Sequence, residues 1–223
     1  MKLPRVLCSL SCCLFLGLAS QGNAGVIYDN GDIFPLVFGA NFSEGQNRLA
    51  DDFSLGNDET VRSVQLWGSH YANGSVPVNE QFSLAIYDGA SDAPGSLVAQ
   101  SSLSLVSRID TGFDHNNVAE ADIWAFTLDL GNEIFLNAGD YFLSIWSVAH
   151  ADTEFAWQRA QADGASYQSF DGGETWRIGS VGDNAWMLSN EFARTVVDVP
   201  EPGTMALIML GLAGLIAARR RTD

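Results

Sequence analysis

The sequence predicts an all-β domain, an antiparallel β-sandwich with jelly-roll-like topology. Three observations predict it. Short runs rich in apolar and β-branched residues recur between Gly25 and Asp198, clusters of Gly, Asn, Asp and Pro separate them, and no stretch there keeps a 3.6-residue apolar period. So many short strands in one segment close most economically as a single sandwich.

The predicted strands are Arg48 to Leu55, Val61 to Trp67, Gln81 to Tyr87, Leu97 to Ile109, Ile123 to Leu130, Tyr141 to Val148 and Ala185 to Phe192. Within them, Phe82, Leu84 and Ile86 share one face, as do Trp124, Phe126, Leu128 and Leu130. Turns are expected at Asn73-Gly74, Asp88-Gly89, Ala93-Pro94-Gly95, Asn137 to Asp140 and Asp171-Gly172-Gly173.

The two ends of the chain read differently from its middle. Lys2 and Arg5 precede an apolar run from Val6 to Leu18, and Gly22-Asn23-Ala24 places small residues where signal peptidase reads, so residues 1–24 are expected to be a signal peptide cleaved after Ala24. Cys8, Cys12 and Cys13 are the chain's three cysteines. Cleavage would leave an exported domain, residues 25–198, with no thiol for a disulfide, a nucleophile or a cysteine metal site.

At the other end, Pro200-Glu201-Pro202 leads into an uncharged run within residues 204–218, followed by Arg219, Arg220 and Arg221. As a helix, Met205 to Ala218 would reach about 21 Å, short of the roughly 30 Å hydrocarbon core, and snorkelling arginines with local thinning would cover the difference. The arginines would stay cytoplasmic, leaving the domain on the exported side. The prolines on either side of Glu201 stop the helix and present the acid in extended chain.

This arrangement resembles the PEP-CTERM sorting signal, over roughly residues 199–221. The resemblance implies that exosortase, a membrane cysteine protease or transpeptidase, recognises residues 199–223 in the inner membrane and removes them near the motif. The protein would be anchored there only transiently, then pass to the cell surface or the extracellular matrix, where exopolysaccharide is an expected partner. Segments such as Ala50-Asp51-Asp52-Phe53, Val64 to Gly68 and Ala138 to Trp146 are also similar to β-sandwich modules common in exported bacterial proteins with this tail. That similarity implies fold and location, and no activity.

Charge narrows the partners. Between Gly25 and Asp198 there are 6 arginines, no lysine and 25 acids, a net of −19. Such a surface repels a phosphate backbone, so nucleic acid is not an expected partner. Its acids are scattered, as on a folded surface, rather than blocked as in a disordered tail.

The sharpest local motif is Ser169-Phe-Asp171-Gly-Gly173-Glu-Thr175-Trp176. It is similar to the Asp-box, a hairpin whose aspartate ties down turn amides while its tryptophan anchors it in the core. Sialidases and other propeller proteins carry several copies. One copy here points to a structural turn, and the chain is too short for six four-stranded blades.

Catalytic constellations are weak. His70, His115 and His150 have no second histidine at zinc-binding spacing, and no nucleophile elbow or phosphate loop occurs. Carboxylate pairs such as Asp51/Asp52 or Glu154/Glu174 are what glycoside hydrolysis would use. Acidic loops, with Asp110 and Asp114 the expected ligands, suit a structural calcium ion as the one metal, although ordinary Asx turns explain them too. Trp67, Trp146 and Trp157 are the candidates for stacking on sugar rings, against the common role of strand tryptophans as core. The expected function is a non-catalytic, exported structural or interaction protein. A carbohydrate-binding module for exopolysaccharide is the alternative, and a glycoside hydrolase the third reading.

Overall fold

The computed structural model describes residues 25–31, 33, 40–71, 77, 80–89, 92–114, 122–148, 154–160 and 164–193. The expected signal peptide, the sorting tail with the helix expected there, the expected Asn73-Gly74 turn, His115 and His150 lie outside them. Among the described residues there is no helix, and twelve strands join in one antiparallel sheet. They are β1 Val26–Asp29, β2 Ala40–Phe42, β3 Arg48–Leu55, β4 Glu59–Tyr71, β5 Phe82–Asp88, β6 Leu97–Asp114, β7 Asp122–Leu136, β8 Gly139–Ser147, β9 Glu154–Gln158, β10 Ala165–Ser169, β11 Arg177–Val181 and β12 Trp186–Ser189.

The hydrogen-bonded order is β1-β12-β4-β7-β6-β5-β8-β3-β10-β11, with β9 on β4 and β2 on β9. Pairs nest along the chain. β5 lies against β6, β4 against β7 and β3 against β8, while β5 also meets β8 and β6 also meets β7. Long β6 makes the wrap. Its first half, Leu97 to Leu103, pairs with β5, and its second half, Leu103 to Asp114, pairs with β7.

The sheet thereby folds over itself into two facing layers. Phe53 of β3 touches Trp186 of β12 edge-on at 5.5 Å and Tyr28 of β1 at 5.6 Å, although the sheet order keeps β3 distant from both. Phe82, Phe126 and Phe155 form a second aromatic contact between the layers, with centroids 5.0 to 5.9 Å apart. The main core fills this interior with the inward faces predicted from alternation, including Phe82, Leu84 and Ile86 of β5 and Phe126, Leu128 and Leu130 of β7.

Two smaller clusters lie on the outer faces. Ala50, Ala85, Tyr87, Phe142 and Trp146 are covered by Tyr167 of β10 and Trp176 of the following loop. Trp67, Ile123, Ala160 and Ala185 form the other. Burial on both faces makes β5 and β8 read as nearly continuous apolar runs rather than strict alternation.

Candidate functional site

Along β3 the inward row is Leu49, Asp51, Phe53 and Leu55, so a carboxylate occupies a core position at 0 % exposure. The chain places it there beside an incompletely covered edge. β10 pairs with β3 only from Arg48 to Ala50, and the segment preceding β12 comes alongside Asp51 instead. There Asp51 Oδ2 accepts three hydrogen bonds: from Asn30 Nδ2 at 2.9 Å, the Asn184 amide at 2.6 Å and Trp186 Nε1 at 3.1 Å. Asn30 Nδ2 also donates to the Asn184 carbonyl at 2.9 Å, and the Asn30 amide donates to the Trp186 carbonyl at 2.9 Å. One acid thus joins β1, β3 and the start of β12.

Asp51 Oδ1 is buried and has no hydrogen-bond partner. Burial pushes the carboxyl up to about 8. The Asn184 amide and Trp186 indole oppose that shift, while Asp183 and Asp52 add to it. Asp52 points to the exposed side of β3 and Asp183 is half-buried, yet single oxygens of Asp51, Asp52 and Asp183 lie within 4.8 Å of one another. The same negative field reaches Tyr28, whose phenol is pushed up to about 12 by burial and then by Asp52, Asp51, Asp183 and Asp29.

A cleft of about 310 Å³ opens beside Asp52, with Ser54, Asp92, Asp140, Tyr141 and Tyr167 among its walls. Ser54 Oγ donates to Asp140 Oδ1 at 2.5 Å, and the Tyr167 hydroxyl donates to the Asp92 carbonyl. A second buried polar group lies elsewhere. His70 Nε2 pairs with Glu80 Oε1, Arg108 Nη1 is 3.4 Å from Glu80 Oε2, and the imidazole packs against Phe126 and Phe155. A lone histidine in the sequence is here one member of a buried ion-paired group.

Ser169 to Trp176, the segment whose sequence is similar to an Asp-box, runs from the last residue of β10 through the loop before β11. Asp171 Oδ1 accepts from the Thr175 amide at 2.9 Å, the Glu174 amide at 3.1 Å and Ser169 Oγ at 2.7 Å, and Oδ2 accepts from Thr175 Oγ1 at 2.5 Å. The Gly173 amide donates to Ser169 Oγ at 2.8 Å. Those bonds, led by the Thr175 and Ser169 hydroxyls, hold Asp171 well below the usual carboxylate range. Trp176 is partly buried and meets Tyr87 edge-on at 5.3 Å, over the outer cluster rather than in the central core.

The tryptophans singled out for sugar stacking need correction. Trp67, Trp146 and Trp157 are 7 %, 6 % and 0 % exposed, so none offers a ring face to a sugar. Arg48 lies 3.8 Å over the Trp146 ring, and Trp157 Nε1 donates to the Ala185 carbonyl at 3.0 Å. The Asp51/Asp52 pair cannot flank a glycosidic bond either, because Asp51 is sealed in the core. Asp110 and Asp114 sit near the end of β6, where Asp110 Oδ1 accepts from the Gly112 amide at 2.8 Å and both carboxylates crowd Asp122. Asp183 and Asn184 were missed by sequence reasoning. Their signal, an Asp-Asn pair before a strand, is indistinguishable from a turn until β3 is seen beside it.

Fold and site define an acidic, all-β protein whose polar centre is built from carboxylates and amides. In the sequence comparisons, the family model described as the PEP-CTERM protein-sorting motif matches residues 198–221. The chain therefore carries a PEP-CTERM sorting motif, consistent with an exosortase substrate, and the motif implies export with a C-terminal signal that exosortase processes. No curated protein matches the chain.

Proposed function

We propose that the protein is a non-catalytic structural or interaction protein of the cell surface or extracellular matrix, released from the inner membrane when exosortase removes its tail. The observation that carries this reading is the sorting motif at residues 198–221, downstream of an acidic β domain. The nested pairing of β3 to β8 supports a jelly-roll-like reading of that domain. Signal peptidase would free the other end after Ala24. Mass spectrometry of native protein isolated from the cell surface tests the proposal. Peptides should cover residues 25–198 and lack Leu212 to Arg219. An intact C-terminal peptide in surface material would mean a permanent anchor and end the reading.

One observation favours carbohydrate binding as the second reading, at a place other than the three tryptophans. The cleft beside Asp52 combines the rings of Tyr141 and Tyr167 with the carboxylates of Asp52, Asp92 and Asp140. Aromatic faces and hydrogen-bonding acids are what a neutral glycan needs. Glycan-array binding that disappears with Tyr167→Ala, in a protein of unchanged melting temperature, would support it. Retention in that variant counts against the cleft.

A further inference from the structure

The Asp51 node carries an inference that does not depend on where the protein is sorted. Single oxygens of three acids are brought within 4.8 Å of one another, and the hydrogen bonds that reach Asp51 fall on one side of its carboxyl group. All three donors that reach Asp51 converge on Oδ2, which leaves Oδ1 sealed from solvent with no partner. Asn184, whose backbone amide donates to that same Oδ2, is at 0 % exposure, and its side-chain amide has no partner at either its oxygen or its nitrogen. A fully buried carboxylate oxygen within an acidic cluster, and a fully buried side-chain amide on a residue bonded to that carboxylate, are therefore both unmatched. Buried polar atoms are rarely left so, and an ion is one of the few things that matches both.

We propose that Asp51, Asp52 and Asp183 form a divalent-cation site of the calcium type. Asp51 Oδ1 is the inner ligand, Asp52 and Asp183 supply one oxygen each, and the Asn184 side-chain oxygen is a fourth donor. The donors are all oxygen, which selects hard cations over zinc or copper. The three hydrogen bonds on Oδ2 act as the outer shell that orients the inner ligand. The waters that complete six to eight ligands would lie on the Asp52 and Asp183 side of the ion, where those residues reach the surface, and Asp51 would be its sealed inner face. The ion would fasten β3 to the segment ahead of β12, adding to the hydrogen bonds already there.

The test uses the full chain in detergent, freed of metal with a chelator, and calcium alone as probe. Millimolar Ca²⁺ should raise the melting temperature by several degrees, and Mg²⁺ should raise it less. Tb³⁺, replacing Ca²⁺, should show emission sensitised through Trp186, whose indole is bonded to Asp51. Asp183→Asn and Asp52→Asn, neither of them a fully buried position, should each weaken binding at least tenfold while the metal-free protein still melts cooperatively. Asp110→Asn with Asp114→Asn should leave binding intact. An unchanged melting temperature in calcium, or a rise that survives both Asp183→Asn and Asp52→Asn, overturns the site. Loss of the rise in the Asp110/Asp114 double variant alone overturns it as well and moves calcium to the end of β6.

Discussion

Trp186 Nε1 donates to Asp51 Oδ2 at 3.1 Å, linking two fully buried residues 135 positions apart. The bond crosses between the two layers, next to the edge-on contact of Trp186 with Phe53. A carboxylate at this core position is tolerated because the side chain of Asn30, just after β1, the Asn184 amide and this indole converge on it.

Asp51→Ala should destabilise the protein by about 3–5 kcal/mol, because the Asn184 amide and the Trp186 indole lose their acceptor inside the core. Urea denaturation in the presence of a chelator measures it. A midpoint equal to that of the wild type would show that the node contributes nothing to folding.

Gly68→Ala should be destabilising by about 1–3 kcal/mol. A Cβ at Gly68 would overlap the ring of Phe155, which is fully buried and held by Phe82 and Phe126. The same substitution at Gly56, where added carbon meets open space, is the control and should change the melting temperature little.

His70→Ala removes a partner from the fully buried Glu80 carboxylate and leaves it to Arg108 at 3.4 Å. The expected loss is about 3–5 kcal/mol. In a double-mutant cycle with Glu80→Gln the coupling should be about 1–3 kcal/mol. Additive effects would mean that the two side chains do not act as a pair.

The loop between β10 and β11 should respond to acid through Asp171. Its carboxyl is held below the ordinary value of 3.8 by hydrogen bonds to the ionised form. A depressed folded-state value stabilises the ionised loop above pH about 4, and that contribution is lost as pH falls through the folded value. Amide exchange at Thr175 should stay slow from neutral pH down to about 4 and accelerate below it, after correction for intrinsic rates. An Asp171→Asn variant should lose that acid-dependent change. Identical pH profiles in the two proteins would remove Asp171 from the account.

Trp176→Ala should lower stability by about 2–4 kcal/mol, somewhat less than truncating a fully buried tryptophan, since Trp176 is itself only partly buried against Tyr87 and its neighbours. Thermal melting checks it. A variant with wild-type melting but a lost binding activity would make this loop a recognition surface instead of a clasp.

Local sequence determined the elements whose physics is local. Arg48–Leu55 came out as the strand that its alternation implied, Phe82, Leu84 and Ile86 turned inward together, and the Ser169 to Trp176 turn carries its own hydrogen-bonding partners within eight residues. The sorting tail was legible for the same reason, since its motif, apolar run and arginines are contiguous. Strands β1, β2, β9, β10 and β11 were not legible. At three to five residues each they have too little pattern to register, and pairing with distant strands makes them strands. Only tertiary structure could decide which tryptophans are buried, because β5, β8 and their neighbours are covered on both faces. It also made the candidate site. Asp51 and Asp183 become neighbours when the sheet wraps over itself, and the burial that leaves Asp51 Oδ1 without a partner exists only once both layers are in place.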